Sequence, residues 1–336
     1  MVEDLSDPLA RDLMLAEALA HVPGYRQGSP AIEASELPGG SVNRSYEVST
    51  PAGRFVLRLS RGPDAWLTSD RSVERELHRI ASEAGIAPRV VHANDRWSIT
   101  EYVAGRLWAE PDFANAERLA GLGDALRRLH ELPAPLCGRF DLLQALEGYA
   151  KRVGAQIPDP ADIVAHYLNN AAAAWRISGA AERPLAILHH DLHGSNIIES
   201  GRGLVLIDWE CAAVSDPLLD IACILSYHES ARPYAPDLLR HSGLGEVTSR
   251  QLAASVWLFD LHTFLWYRER RMRLSPTDAE LAAEHHLSMR LPRTLEDWRC
   301  RGRAAWPSPR PSPMTGASGV ESAHYAARVQ IGRAHV

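Results

Sequence analysis

The sequence predicts an α+β fold of two lobes, a small antiparallel β-sheet lobe followed by a larger, mainly helical one. Runs of alternating apolar and polar residues, punctuated by Gly and Pro, fill the chain to about residue 102, and beyond Gly105 apolar positions recur at helical spacing. A length of 336 residues exceeds the size that one hydrophobic core usually serves. Strands and helices thus segregate along the chain, as they do in α+β folds. The expected boundaries are a first lobe over 1–102, a second over 103–298, and a tail over 299–336.

Residues 8–21, P-L-A-R-D-L-M-L-A-E-A-L-A-H, read as an amphipathic helix closing at Pro23-Gly24. An antiparallel meander of short strands follows between Ser35 and Ser60, punctuated by Gly39-Gly40 and Pro51-Ala52-Gly53. A helix from about Ser69 to Ala84 ends at Gly85 and Pro88, and R-V-V-H-A and W-S-I-T-E-Y-V supply two more strands. The chain then crosses at 101–105 into a helical region reaching about residue 298, interrupted by a short β-like pair at 195–209. The Pro-, Ser- and Gly-rich stretch from Trp306 is expected to be a disordered or non-native tail, its last residues resembling a translated sequencing adaptor.

A net charge of −6, without a Lys/Arg block or basic stripe, argues against nucleic acid as a partner. The four cysteines show no C-x-x-C pair, so neither a zinc site nor a disulfide framework is indicated. The N-terminal residues carry acids where an export signal needs a basic start, and apolar runs fall short of the about 20 residues that span a bilayer. A cytoplasmic protein without membrane segments, a monomer or homodimer, is expected.

The chemistry is carried by His189-His190-Asp191-Leu192-His193-Gly194-Ser195-Asn196 and by L-I-D-W-E, which ends at Glu210. Phosphoryl transfer to a hydroxyl needs a carboxylate to orient the hydroxyl and accept its proton, and hard oxygen ligands for Mg²⁺ beside the phosphates. Asp191 suits the first task. Asn196, five residues on, and Asp208, at the end of an apolar strand, suit the second. Glu210 would assist the metal shell or contact the acceptor, and His189 would hold the loop backbone. Upstream, Gly39-Gly40-Ser41-Val42-Asn43 lies between two strands, where glycine lets the chain turn tightly and approach phosphate oxygens. Gly39, Gly40 and Asn43 are therefore assigned to the triphosphate of ATP.

These motifs resemble the aminoglycoside phosphotransferase and choline kinase superfamily, which has a bilobal protein-kinase-like fold. The likeness is greatest to bacterial choline and thiamine kinase-like proteins, through E-L-P-G-G-S-V-N-R-S-Y, F-V-L-R-L and L-I-D-W-E-C-A, over about Ser35 to Trp266. The resemblance implies an ATP- and Mg²⁺-dependent kinase and agrees with the roles given to Asp191, Asn196 and Asp208. It places Arg58 where protein kinases hold the α- and β-phosphates with a lysine, a role that a permanently charged, bidentate arginine can fill. Glu74 is the implied partner of Arg58, with Glu76 the alternative. Thr100–Val103 would be the hinge, its backbone at Glu101 and Val103 bonding adenine. Asp216-Pro217 and Asp220 match D-P-x-x-D-[IL]-A, which implies that Asp220 braces the catalytic loop.

The acceptor should be a small-molecule alcohol bound beyond Asp220. Trp257, Asp260, Trp266 and Tyr267 cluster in V-W-L-F-D-L-H-T-F-L-W-Y, and aromatic faces with a carboxylate would hold a cation such as choline or thiamine. The same stripe also reads as a helix core. An antibiotic, aminoglycoside or macrolide, is the alternative acceptor. A catalytically silent binding protein is the alternative of another class, but it would lack Asp191, Asn196 or Asp208, and all three are present.

Overall fold

A computed structural model describes residues 8–26, 33–37, 43–60, 70–154 and 161–300. In chain order it runs through helix α1 (Pro8–Leu19), strands β1 (Glu33–Glu36), β2 (Arg44–Thr50) and β3 (Gly53–Leu59), helix α2 (Arg71–Glu83), and strands β4 (Val90–Ala93), β5 (Trp97–Glu101) and β6 (Gly105–Leu107). Helices α3 (Glu110–Phe113), α4 (Ala116–His130), α5 (Leu142–Gly154) and α6 (Ala161–Ser178) follow, then β7 (Ala186–Leu188), the hairpin β8 (Ile197–Ser200) and β9 (Gly203–Leu206), and β10 (Ala213–Ser215). Helices α7 (Leu218–Tyr227), α8 (Ala235–His241), α9 (Ser249–Arg271) and α10 (Asp278–Cys300) complete the described chain. The Gly39-Gly40 turn and the tail beyond Cys300 lie outside the described residues.

Packing divides the chain into two units. Among the described residues, one holds those up to Ala109 and returns for Gly194–Ala213; the other holds Glu110–His193 and the residues from Val214 to Cys300.

The first unit is built on an antiparallel sheet of order β1-β2-β3-β5-β4. In β3 the alternation expected of a half-buried strand puts Phe55, Leu57 and Leu59 on the core face, while Val56 and Arg58 take the other. The core residues meet Val48, Trp97 and Ile99 of neighbouring strands and Met14, Ala18 and Leu19 of α1. At the end of α1, Gly24 adopts a left-handed φ of 75°, and an added Cβ there would sit 2.9 Å from that of Ala52. Only glycine lets the chain close onto the β2–β3 hairpin, where Thr50 Oγ1 donates to the Pro23 carbonyl at 2.7 Å. Helix α2 starts at an Asp70 cap whose carboxylate accepts the Ser72 N–H at 2.9 Å, and it buries Glu74, Leu77 and Ala81.

Two features depart from the expected layout. The 101–105 crossing leads into a strand, β6, too short to show a period, and β6 pairs with β8 in the order β6-β8-β9. Gly105 is required there, because an added Cβ would lie 2.5 Å from the Glu199 carbonyl oxygen. The β8–β9 hairpin, expected in the 103–298 lobe, therefore packs with the first unit. Its Ile198 and Val205 join Ile207, Val103 and Leu107 in one cluster, and Leu206 N–H donates to the Ile86 carbonyl at 2.8 Å. The first unit accordingly runs to Ala109 rather than to residue 102.

The second unit is helical around α9, which is buried on almost every side, as expected of a core helix rather than an amphipathic surface one. Trp257, Leu261 and Leu265 pack there with Leu146 and Tyr149 of α5 and with Leu287 and Leu291 of α10. A capping box, with Thr248 and Gln251 bonding each other's backbone, fixes where α9 begins. Among the described residues no helix is long and apolar enough to cross a membrane.

Candidate active site

In the first unit, Arg58 points from β3 into a ring of buried polar groups. Its Nη2 donates to Glu74 Oε1 and its Nη1 to Asp208 Oδ1 at 3.0 Å. Glu74 is therefore the partner carboxylate; Glu76 lies on the exposed face of α2 and pairs with Arg79. Arg71, one turn before Glu74, donates to Glu74 Oε2 at 2.7 Å and to Asn43 Oδ1 at 3.3 Å. Asn43 in turn donates from Nδ2 to Glu210 Oε2 at 2.7 Å. Glu210, expected at the metal shell or the acceptor, thus ties the end of the glycine turn to the hairpin that carries Asp208. Buried charges persist only when compensated in this way, so the ring holds each member in one orientation. Arg71 was not foreseen. Its position at i−3 from Glu74, on the same helical face, was the available signal.

Asn196 and Asp208 are brought to neighbouring strand ends by the β8–β9 pairing, which continues in an Ile207 N–H to Asn196 carbonyl bond of 3.0 Å. Asn196 is fully buried, and Asp208 is 9% exposed with a left-handed backbone (φ 64°). Asp tolerates that conformation better than most residues, yet it still costs of order 1–3 kcal/mol and is retained chiefly where geometry serves a site. A carboxylate and an amide at neighbouring strand ends supply the hard oxygens that Mg²⁺ prefers, so the residues present fit that ion.

Beside them opens a cleft. Its walls are apolar at Val56, Val103, Leu107 and Ile207 and charged at Arg58 and Asp208, matching a flat base at one end and phosphates at the other. Glu101 and Val103 both line it. The Glu101 N–H, however, is taken by the Arg89 carbonyl at 2.9 Å, and that of Tyr102 by the Arg54 carbonyl at 3.0 Å. The backbone donors of Glu101 and Tyr102 are thus both committed within the sheet.

In the second unit, the backbone of the catalytic loop hangs on one carboxylate. Asp220, in the first turn of α7, accepts the His190 N–H at 2.8 Å and the His189 N–H at 3.2 Å, and His130 Nε2 donates to it at 3.0 Å. Burial pushes this carboxyl up, but the His130 and His190 hydrogen bonds and the nearby imidazoles outweigh it and hold the group below the usual carboxylate range. His190 is thereby kept in a left-handed backbone (φ 64°) that aims the next residue, Asp191. Asp216 is clamped by Arg183 through two bonds of 2.6 and 2.7 Å and also receives the Leu218 N–H, which sets the start of α7. Asp191 itself is 4% exposed; Tyr227 donates its hydroxyl to Oδ1 at 3.2 Å, and His193 Nε2 lies 3.4 Å from Oδ2.

The aromatic set expected to bind the acceptor is placed otherwise. Trp257 is fully buried, its indole N–H donating to the Leu291 carbonyl at 3.1 Å, and Tyr267 is 2% exposed in the same core. Asp260 is fully buried and bonded to Ser226 and Arg290. Trp266 is half-buried with the Arg270 guanidinium 5.5 Å from its ring centroid, so a cation of the protein already faces it. Helical spacing groups these residues for the core of α9, and a periodic aromatic stripe carries that meaning before any other.

Residues 33–254 match the model of the phosphotransferase enzyme family. Thiamine kinase of Salmonella paratyphi B is 30% identical over 256 residues, which cover 76% of this chain and 84% of that enzyme. The fold is shared with a choline/ethanolamine kinase family protein from Mesorhizobium loti (TM-score 0.68, 23% identity, covering 94% of this chain and 98% of that one). It is also shared with the choline kinase LicA of Streptococcus pneumoniae (TM-score 0.69, 17% identity, covering 88% and 100%), whose complex with AMP has been solved as well. With the cleft, the loop and the ring of charges in view, the chain belongs to the phosphotransferase enzyme family, as an ATP-dependent kinase of small molecules.

Proposed function

We propose that this kinase transfers the γ-phosphoryl group of ATP to the hydroxyl of a small cationic alcohol, thiamine first and choline next. The observation that carries the choice of acceptor is the 30% identity to a thiamine kinase across 84% of that enzyme's length. In this reading Arg58, held by Glu74, grips the α- and β-phosphates, and Asn43, with Gly39 and Gly40, binds the triphosphate. Asn196 and Asp208 would hold Mg²⁺, which when bound neutralises charge on the β- and γ-phosphates. Asp191 orients the acceptor hydroxyl and takes its proton as the oxygen attacks the γ-phosphorus. The Glu101 carbonyl and the Val103 N–H receive adenine. The support for these roles is that Asn43, Arg58, Asp191, Asn196 and Asp208 are buried and of the chemical type their tasks require, and that Asn43, Arg58, Asp208 and Asp191 are held by named partners.

An ATP-consumption screen over thiamine, choline, ethanolamine and aminoglycosides, with Asp191→Asn as the blank, tests this. Turnover greatest on thiamine or choline and abolished in the blank is expected. Turnover on aminoglycosides alone would replace the acceptor, and an undiminished Asp191→Asn would remove Asp191 from its role.

A further inference from the structure

The hydroxyl of Tyr227 reaches one oxygen of the carboxylate that faces the acceptor. We propose that Tyr227 is a positioning residue for Asp191, fixing the direction of its carboxylate, an assignment that rests on the reading of Asp191 given above.

Tyr227 lies seven residues, two helical turns, beyond Asp220, so both side chains leave α7 on the same face. One helix face thus makes two successive contacts with the loop: Asp220 holds the backbone at His189 and His190, and Tyr227 holds the side chain of the next residue. The last turn of α7 is itself tied down on either side of Tyr227. Ser226 Oγ donates to Asp260 Oδ1 at 2.6 Å, and Arg290 bonds both the Ser226 carbonyl, at 2.9 Å, and Asp260. On the other side His228 Nδ1 pairs with Glu110 Oε2 at 2.6 Å while its ring stacks on Phe113 at 3.4 Å. The joint effect of these bonded polar groups is to restrain the intervening residue. The Tyr227 ring is further confined edge-on by Phe259 at 5.5 Å and by His193 at 6.2 Å.

Phenylalanine would satisfy that packing equally well; the hydroxyl is what packing does not explain. By donating to Oδ1 it sets the direction in which the carboxylate is presented. It also favours the charged form of the carboxylate, the form a proton acceptor needs.

Tyr227→Phe, with Asp191→Asn as the inactive reference, tests the assignment on thiamine, or on choline if thiamine is not turned over, with kcat across pH, KM for ATP and melting temperature measured. Loss of one hydrogen bond to a charged acceptor should lower kcat about tenfold in Tyr227→Phe, with KM for ATP and melting temperature unchanged. Because the hydroxyl favours the charged carboxylate, the acid limb of the kcat pH profile should also move to higher pH, which a packing role would not cause. An unchanged kcat in Tyr227→Phe beside an inactive Asp191→Asn would overturn the positioning role and leave Asp191 in place. A lowered kcat with the acid limb unmoved would reduce Tyr227 to a packing residue. An active Asp191→Asn would instead remove the reading on which the assignment rests.

Discussion

Asp220→Asn is the substitution that the loop geometry constrains most tightly. The wild-type carboxylate is fully buried and accepts three hydrogen bonds, from the His189 and His190 N–H groups and from His130. An asparagine keeps one acceptor oxygen. Set against His190 N–H, it turns its amide N–H₂ toward two donors, His189 N–H and His130 Nε2. A buried donor stripped of its acceptor costs about 1–3 kcal/mol, so the pair sums to about 2–5 kcal/mol even after His130 changes tautomer. The left-handed backbone at His190 loses part of its restraint as well. At about 2–4 °C per kcal/mol, the melting temperature should fall by about 4–20 °C. The loop that aims Asp191 loosens with it, so kcat should drop more than tenfold while KM for ATP, set in the first unit, changes little. Thermal denaturation and steady-state kinetics on the two proteins decide this. The pH dependence adds a check with a defined sign. Because the folded-state pKa of Asp220 is depressed, its contribution is complete above the unfolded value of about 3.9 and is lost as pH falls through the folded value. The gap in melting temperature between the two proteins should stay constant from about pH 8 to about pH 5 and close only under stronger acid. A shift below about 2 °C with unaltered kcat would refute the bracing role.

Arg58→Lys replaces a fork that reaches Glu74 and Asp208 at once with a single ammonium, and KM for ATP should rise about tenfold. Glu74→Gln should raise it similarly and Glu76→Gln not at all; equal effects of the two glutamines would undo the choice of Glu74. His228 is held below its ordinary pKa by burial, against the pull of Glu110, so the folded protein keeps it neutral while the unfolded chain takes up a proton near pH 6.5. Its contribution is therefore complete above about pH 6.5 and declines as pH falls below it. Melting temperatures followed from pH 8 to pH 5 should show a decline that His228→Asn flattens, and parallel curves would count against it.

The strands, helices and candidate catalytic residues were legible because each answers to a strong local rule. Period-two alternation marks β2, β3 and β5, Gly85 stops α2, and Asp191, Asn196 and Asp208 are the residue types that phosphoryl transfer requires, flanked by aliphatics. What escaped depends on long-range contacts. The choice between Glu74 and Glu76 turns on which face of α2 meets the sheet. β6 has three residues and exists because β8 pairs with it. Arg71 and Tyr227 acquire meaning only when their helices dock, although i−3 and i+7 spacing from Glu74 and Asp220 marked the relevant faces. Trp257 and Asp260 looked like a ligand cage because composition does not distinguish an aromatic pocket from an aromatic core. Complete burial and the Arg290 ion pair do.

The central claim is that phosphate passes from ATP to a small cationic alcohol with Asp191 taking the proton. Wild-type protein and Asp191→Asn, incubated with γ-labelled ATP, Mg²⁺ and thiamine or choline and resolved by mass spectrometry, test it directly. The account predicts label in the phosphate ester of one of these alcohols for the wild type and none for the variant. Label confined to inorganic phosphate, or equal ester from both proteins, would contradict it.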